Sequence, residues 1–205
     1  MNVNDSFLTK GPIGGWVRDL VVAGTFLTCL PFRSSSPIEI GDLNPAVRMF
    51  PIIGLIVGAL GSGALWLAAQ VNLDPVVYGM TGLLVMTLTT GAIHEDGLAD
   101  FIDGIGAQDR LRRLAIMRDP SIGTFGTLAL VISIVLKVGL LAGFSDPDLA
   151  MVALIAVAAI SRGMMPLLMF FMKPARADGL GHDAGRPSLE RVGVAAIVSV
   201  IIAFV

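Results

Sequence analysis

Six long apolar runs, at about 16–32, 49–71, 75–93, 124–144, 149–172 and 192–205, limit this chain to very few folds. Most of them approach the roughly 20 residues a helix needs to cross a bilayer. Composition agrees: 55% of residues are hydrophobic and only 15% charged, where soluble domains are nearer a quarter charged. A soluble protein exposing six such runs would be hard to keep in solution. The expected fold is all-α, a polytopic integral membrane helical bundle of about six transmembrane helices in one domain, 1–205, with the lipid bilayer as a partner. No internal repeat or low-complexity tail breaks it. The last run stops at about 14 residues, short of a span, so truncation and further spans beyond it are expected. Arg18 and Asp19 interrupt the first run and no small-residue cleavage site follows cleanly, so no cleaved leader is expected.

The net charge of −2 says little, but its distribution is sharp. Loops after the first, third and fifth runs carry Arg33 and Arg48, then Arg110, Arg112, Arg113 and Arg118, then Lys173, Arg176, Arg186 and Arg191. The intervening loops carry Asp74, Asp146 and Asp148. The excess of arginine and lysine places the first set in the cytoplasm. The amino-terminal stretch, with Asp5, Lys10, Arg18 and Asp19, is mixed and favours neither side. Cys29 is the single cysteine, so an internal disulfide is excluded, and no role is assigned to it. No nucleic-acid partner is expected.

Directly after the third run comes HEDGLADFIDG, His94 to Gly104. On a helix, Asp96, Asp100 and Asp103 fall at i, i+4 and i+7 and share one stripe. Three acids on a stripe repel one another unless a cation or arginines neutralise them. Beside a membrane the economical partner is a divalent metal on oxygen ligands, most often Mg²⁺ holding a substrate diphosphate. Glu95 lies about a quarter turn away and is an additional ligand or a supporting partner. The bland alternative, a solvated helix end, fits poorly, because acids are disfavoured at a helix C-terminus. His94 suits a structural hydrogen bond better than Mg²⁺ ligation.

The next segment, Ala107 to Gly126, is the basic complement. Asp109 suits a helix N-cap, and Arg110, Arg112 and Arg113 follow on a short interfacial helix. Arg112 reads equally as a lipid-headgroup contact. Arg118 heads the turn Arg118-Asp119-Pro120-Ser121, where a guanidinium can grip phosphate in a bidentate fork. The glycines Gly123 and Gly126 open the next span, and free backbone N–H groups at a helix start make an anion site. An acidic metal stripe beside a basic phosphate grip describes phosphoryl transfer. Lys137 and Arg162 sit inside apolar runs, where cations are costly and face a partner or a cavity. Structural pairing and substrate binding fit either of them. The polar loop Lys173 to Ser188 looks like a cap over a site, with Arg176, Asp178 and His182 as its chemically capable members.

These residues resemble the signature of the cobalamin synthase (adenosylcobinamide-GDP ribazoletransferase) family. Its central pattern matches His94, Asp96, Gly97, Ala99, Asp100, Asp103 and Gly104, then Met117, Arg118, Asp119 and the Ile122-Gly123-Thr124-Phe125-Gly126 turn. FLTCLPF (Phe26 to Phe32), FPIIGLIVG (Phe50 to Gly58) and ARADGLG (Ala175 to Gly181) are similar to its other conserved runs, in the same order. Pro120 departs from the pattern, which has a small polar residue there.

The resemblance implies a bacterial inner-membrane enzyme with its active site on the cytoplasmic face. A ribose hydroxyl of α-ribazole, or of its 5′-phosphate, attacks the phosphoryl group on cobinamide, and GMP leaves. The corrinoid nucleotide and the ribazole are the implied substrates and Mg²⁺ the cofactor. Asp96, Asp100 and Asp103, with Glu95, would hold metal, and one acid would take the hydroxyl proton. Arg118, with Arg110, Asp119, Thr124, Lys137, Arg162, Arg176 and Asp178, would contact substrate. A homo-oligomer, or partners from the same biosynthetic route, is compatible with this reading. Two other classes are weighed against it. One is a CDP-alcohol phosphotransferase-like or UbiA-like membrane transferase. The first of these needs an Asp-x-x-Asp-Gly-x-x-Ala-Arg run that is not complete here. The other is a cation- or proton-coupled transporter, which would place its acids near the bilayer midplane rather than among arginines at a helix end.

Overall fold

The computed structural model describes residues 12–34 and 36–204; Asp5 and Lys10 lie outside the described residues. Every regular element among them is helical. The long elements are α1 (Pro12–Leu27), α3 (Phe50–Gln70), α4 (Pro75–Thr90), α5 (Ile93–Ile105), α7 (Thr124–Ala142), α8 (Pro147–Phe171) and α10 (Leu189–Phe204). The short ones are α2 (Leu43–Ala46), α6 (Arg110–Ile116) and α9 (Leu180–Asp183). Aspartates open several of them. Asp74 and Asp146 each precede a first-turn proline and accept a backbone N–H two residues on, at 2.9 Å. Asp109 caps α6 by accepting the Arg112 N–H at 2.8 Å, as its position implies.

All six apolar runs are largely helical, yet among the described residues three helical stretches are long and apolar enough to cross a membrane: Ile40–Gln70, Thr124–Ala142 and Pro147–Phe171. The pair α4 and α5 makes a fourth if read as one span bent by 89°. The difference from six is one of length. Each of α1, α4 and α10 is described over 16 residues, and 16 helical residues reach about 24 Å against a hydrocarbon core of about 30 Å. Outward faces are apolar, with Val135 63% and Leu140 71% exposed on α7.

Helix α3 is the hub: it packs against α8, α4, α10 and α1, while α7 packs against α4 and α5. Small residues make this possible. A Cβ on Gly54 would lie 2.4 Å from the Ala158 carbonyl oxygen, and one on Gly58 2.8 Å from Ile155 Cα. The Ser62 hydroxyl then donates across to the Met151 carbonyl at 2.9 Å. In lipid, where burying apolar side chains brings little gain over lipid contact, close backbone approach and such bonds hold helices together. Large residues fill the remaining core on one side of α3, where Val22, Leu27, Phe50 and Ile53 are buried together.

Candidate active site

A sharp corner sets the site in place. Helix α4 ends at Gly91 (φ 62°), and Ala92 (φ 59°) repeats the left-handed conformation before α5 begins. Glycine adopts this region freely, whereas alanine does so at a cost of about 1 kcal/mol. The Cys29 N–H braces the corner by donating to the Thr89 carbonyl at 2.8 Å. The turn swings α5 nearly perpendicular to α4, so its acids lie across the end of the bundle.

Asp96 and Asp100 line a cleft of about 370 Å³ together with Glu95. Arg118, Asp119 and Ser121 of the turn after α6 form its other wall. Two of the three stripe acids therefore share one space with Arg118. Asp119 accepts from the Ser121 hydroxyl and from the Ser121 N–H at 2.9 Å, and the hydroxyl bond leads in holding its carboxyl below the usual range. Ser121 closes this turn and was not singled out by sequence, although Asp-Pro-Ser is a turn signal.

Asp103 is placed differently from its two stripe partners. Its two oxygens accept from the backbone N–H groups of Gly123 (2.7 Å) and Gly126 (2.8 Å), at the start of α7. A Cβ on either glycine would come within 2.4 Å of that carboxylate. The helix start that the sequence offers as a phosphate site is thus filled by an anion of the chain itself, whose charge suits the positive end of the helix. Thr124, the first residue of α7, is exposed beside this junction.

Behind the acids lies a charged cluster. Lys137 Nζ approaches Glu95 Oε1 at 3.8 Å, so the intramembrane lysine does find a carboxylate. Arg162 of α8 is within electrostatic range of the same glutamate. Glu95 Oε2 and His94 Nε2 are buried with no hydrogen-bond partner among the described residues.

The loop 172–188 folds over α6. Arg118 pairs with Asp178 at 2.5 Å, and Arg110 donates to the Ala175 carbonyl. The Arg118 hydrogen bond holds the Asp178 carboxyl below its usual range. A second cleft, about 530 Å³, lies there between Arg110, Arg176, Asp178 and His182. One terminal nitrogen of Arg176 is buried without a partner among the described residues. The two clefts adjoin through the Arg118–Asp178 contact.

The donors fit Mg²⁺ in one specific way. Among the described residues, no three His, Cys, Asp or Glu side chains converge as a group able to hold an ion. Asp96 and Asp100 nevertheless line one cleft beside the unpartnered Glu95 oxygen. Mg²⁺ usually takes one or two carboxylates and completes its shell with waters and substrate phosphates. An all-oxygen pair facing an arginine matches that habit.

A family model described as cobalamin-5-phosphate synthase matches residues 19–205. The chain is 38% identical over 187 residues to the adenosylcobinamide-GDP ribazoletransferase of Bradyrhizobium diazoefficiens, covering 91% of this chain and 72% of that protein. It is 40% identical over 186 residues to that of Azorhizobium caulinodans (85% and 70%), and 39% over 176 residues to that of Ralstonia nicotianae (83% and 67%). No solved structure matches.

Proposed function

The chain belongs to the cobalamin-5-phosphate synthase family, and we propose that it is an adenosylcobinamide-GDP ribazoletransferase working with Mg²⁺ at the cytoplasmic face of the bacterial plasma membrane. One observation carries the reading: Asp96, Asp100 and Arg118 line a single cleft beside the membrane helices. Oxygen donors for a metal and a guanidinium for phosphate are the two parts that phosphoryl transfer requires.

Asp96 and Asp100, with Glu95 in support, are the residues to hold Mg²⁺. When bound, the ion supplies Lewis-acid neutralisation of diphosphate charge. Arg118 grips phosphate oxygens on the opposite wall as charge moves onto the leaving group. The ribose 3′-oxygen forms a bond to the phosphorus carried by cobinamide. The bond from that phosphorus to the bridging oxygen breaks, and its electron pair leaves with GMP. The hydroxyl proton passes to a carboxylate of the cleft. Asp103 positions the Arg118–Gly126 segment through its two backbone bonds. Lys137 and Arg162 hold Glu95 in place from behind the cleft.

The test uses purified protein in detergent with adenosylcobinamide-GDP and α-ribazole, following GMP and the corrinoid product together. Turnover should disappear with EDTA and return with Mg²⁺, without any ion gradient. A folded sample that binds both substrates yet yields no GMP would end the transferase reading.

A further inference from the structure

A third cleft, about 540 Å³, opens at the α4–α5 corner beside the end of α1. Phe26, Thr28, Cys29 and Thr90 line it, and Ala92 and Asp96 are the two residues it shares with the acid cleft. The proposed reaction uses none of its other residues. Two spaces that meet at one acid suit a reaction in which two substrates must approach one phosphorus. In an in-line displacement the entering and leaving oxygens lie on different sides of that phosphorus.

Its electrostatics are opposite to those of its neighbours. Among the described residues, none of its lining side chains is a cation, whereas Arg118 walls the acid cleft and Arg110 and Arg176 the loop cleft. Helices α1 and α4 both end here, at Leu27 and Thr90, and helix C-termini carry partial negative charge. Asp96 adds a full one. Such a space disfavours a diphosphate and favours a neutral ligand with hydroxyl donors. The ring of Phe26 offers a flat apolar surface for an aromatic base. The Thr28 and Thr90 hydroxyls already donate to Gly24 and Met86 carbonyls, at 2.7 and 3.2 Å. The Thr28 oxygen also accepts the Leu30 N–H at 3.3 Å, and each of the two hydroxyl oxygens keeps a lone pair for a ligand hydroxyl.

We propose that this corner cleft is the acceptor site: it holds the base and ribose of an uncharged aromatic ribonucleoside and delivers a ribose hydroxyl past Asp96 into the acid cleft. The assignment rests on the ribazoletransferase reading and adds where the nucleophile sits. A 5′-phosphate, where the acceptor carries one, lies outside this cation-free space.

Cys29 makes the test direct, because it is the only cysteine in the chain and is exposed in the cleft. The rate of N-ethylmaleimide labelling is measured on the full chain in detergent with Mg²⁺, beside a GMP-release assay on the same preparation. α-Ribazole at about ten times its Kd should slow labelling about tenfold, since only about one site in eleven is then free. Adenosylcobinamide-GDP should leave the rate within about twofold, as expected for a ligand bound elsewhere. Cys29→Phe should raise KM for α-ribazole and leave KM for the corrinoid nucleotide unchanged. Protection by the corrinoid nucleotide instead of α-ribazole would overturn the assignment, as would no protection by either in a sample that turns over. A preparation that releases no GMP defeats the transferase reading itself, and the acceptor assignment falls with it.

Discussion

Asp100 and Asp103 are three residues apart on one helix stripe, yet their surroundings give them different work. Asp100 lines the cleft that Arg118 also lines. Asp103 is bound by two backbone N–H groups of α7. Replacing Asp100 by Asn should therefore lower turnover by more than about 100-fold with little change in melting temperature, because even outer partners of metal ligands cost 10- to 100-fold. Asp103→Ala should act first on stability, by about 1–2 kcal/mol for the lost cap. Thermal unfolding in detergent beside Mg²⁺ titration of GMP release separates the two. Equal loss of melting temperature in both variants would contradict the division. The stripe itself was legible in the sequence, since helical periodicity places all three acids together. The division was not, because a helix period says which residues share a face and nothing about which neighbour meets each of them.

Among the elements, the loop 172–188 and the α6–α7 turn are joined at their surfaces by Arg118 and Asp178, both well exposed. Exposed pairs of this kind are weak. A phosphate arriving at Arg118 can replace Asp178, so substrate binding and loop release are coupled. Asp178→Ala should accelerate tryptic cleavage after Arg176 several-fold, and adenosylcobinamide-GDP should accelerate it in the unmodified protein too. Asp178 is a carboxylate whose folded value lies below its unfolded one. Its contribution is therefore complete above the unfolded value and lost only as pH falls through the folded value. Cleavage without substrate should accordingly be flat between about pH 6 and pH 8 once the protease's own profile is divided out. A rise in loop cleavage within that window would rule out Asp178 as the tether. That the loop is polar and irregular could be read from its glycines and arginines, whereas its contacts with Arg110 and Arg118 could not. The corner that aims α5 could not, because Ala92 gives no signal for a left-handed backbone and only the surrounding contacts enforce it.

At the scale of the whole molecule, the helical class and the order of the runs were evident from hydropathy alone. The number of crossings was not, since hydropathy counts apolar residues without showing where a helix bends or stops. What fixes the bundle is instead the size of residues facing inward. Gly54 and Gly63 lie on the same helix, nine positions apart, and the same substitution should separate them. At Gly54 an added Cβ meets the backbone of α8, 2.4 Å from the Ala158 oxygen and 2.7 Å from Ala159 Cα, so the helices must part. At Gly63 nothing lies within 4 Å. Gly54→Ala should cost about 3 kcal/mol, at the upper end for overpacking. Gly63→Ala should be neutral or stabilising by up to about 1 kcal/mol, because alanine favours the helix. Unfolding midpoints of the two variants in one detergent decide it. Because α3 is also packed against α4, which leads into the corner, the Gly54 variant should lose Mg²⁺-dependent turnover along with stability, although the residue touches none of the site. Full activity in a destabilised Gly54→Ala protein would mean that the α4–α5 corner holds its geometry without the α3–α8 contact.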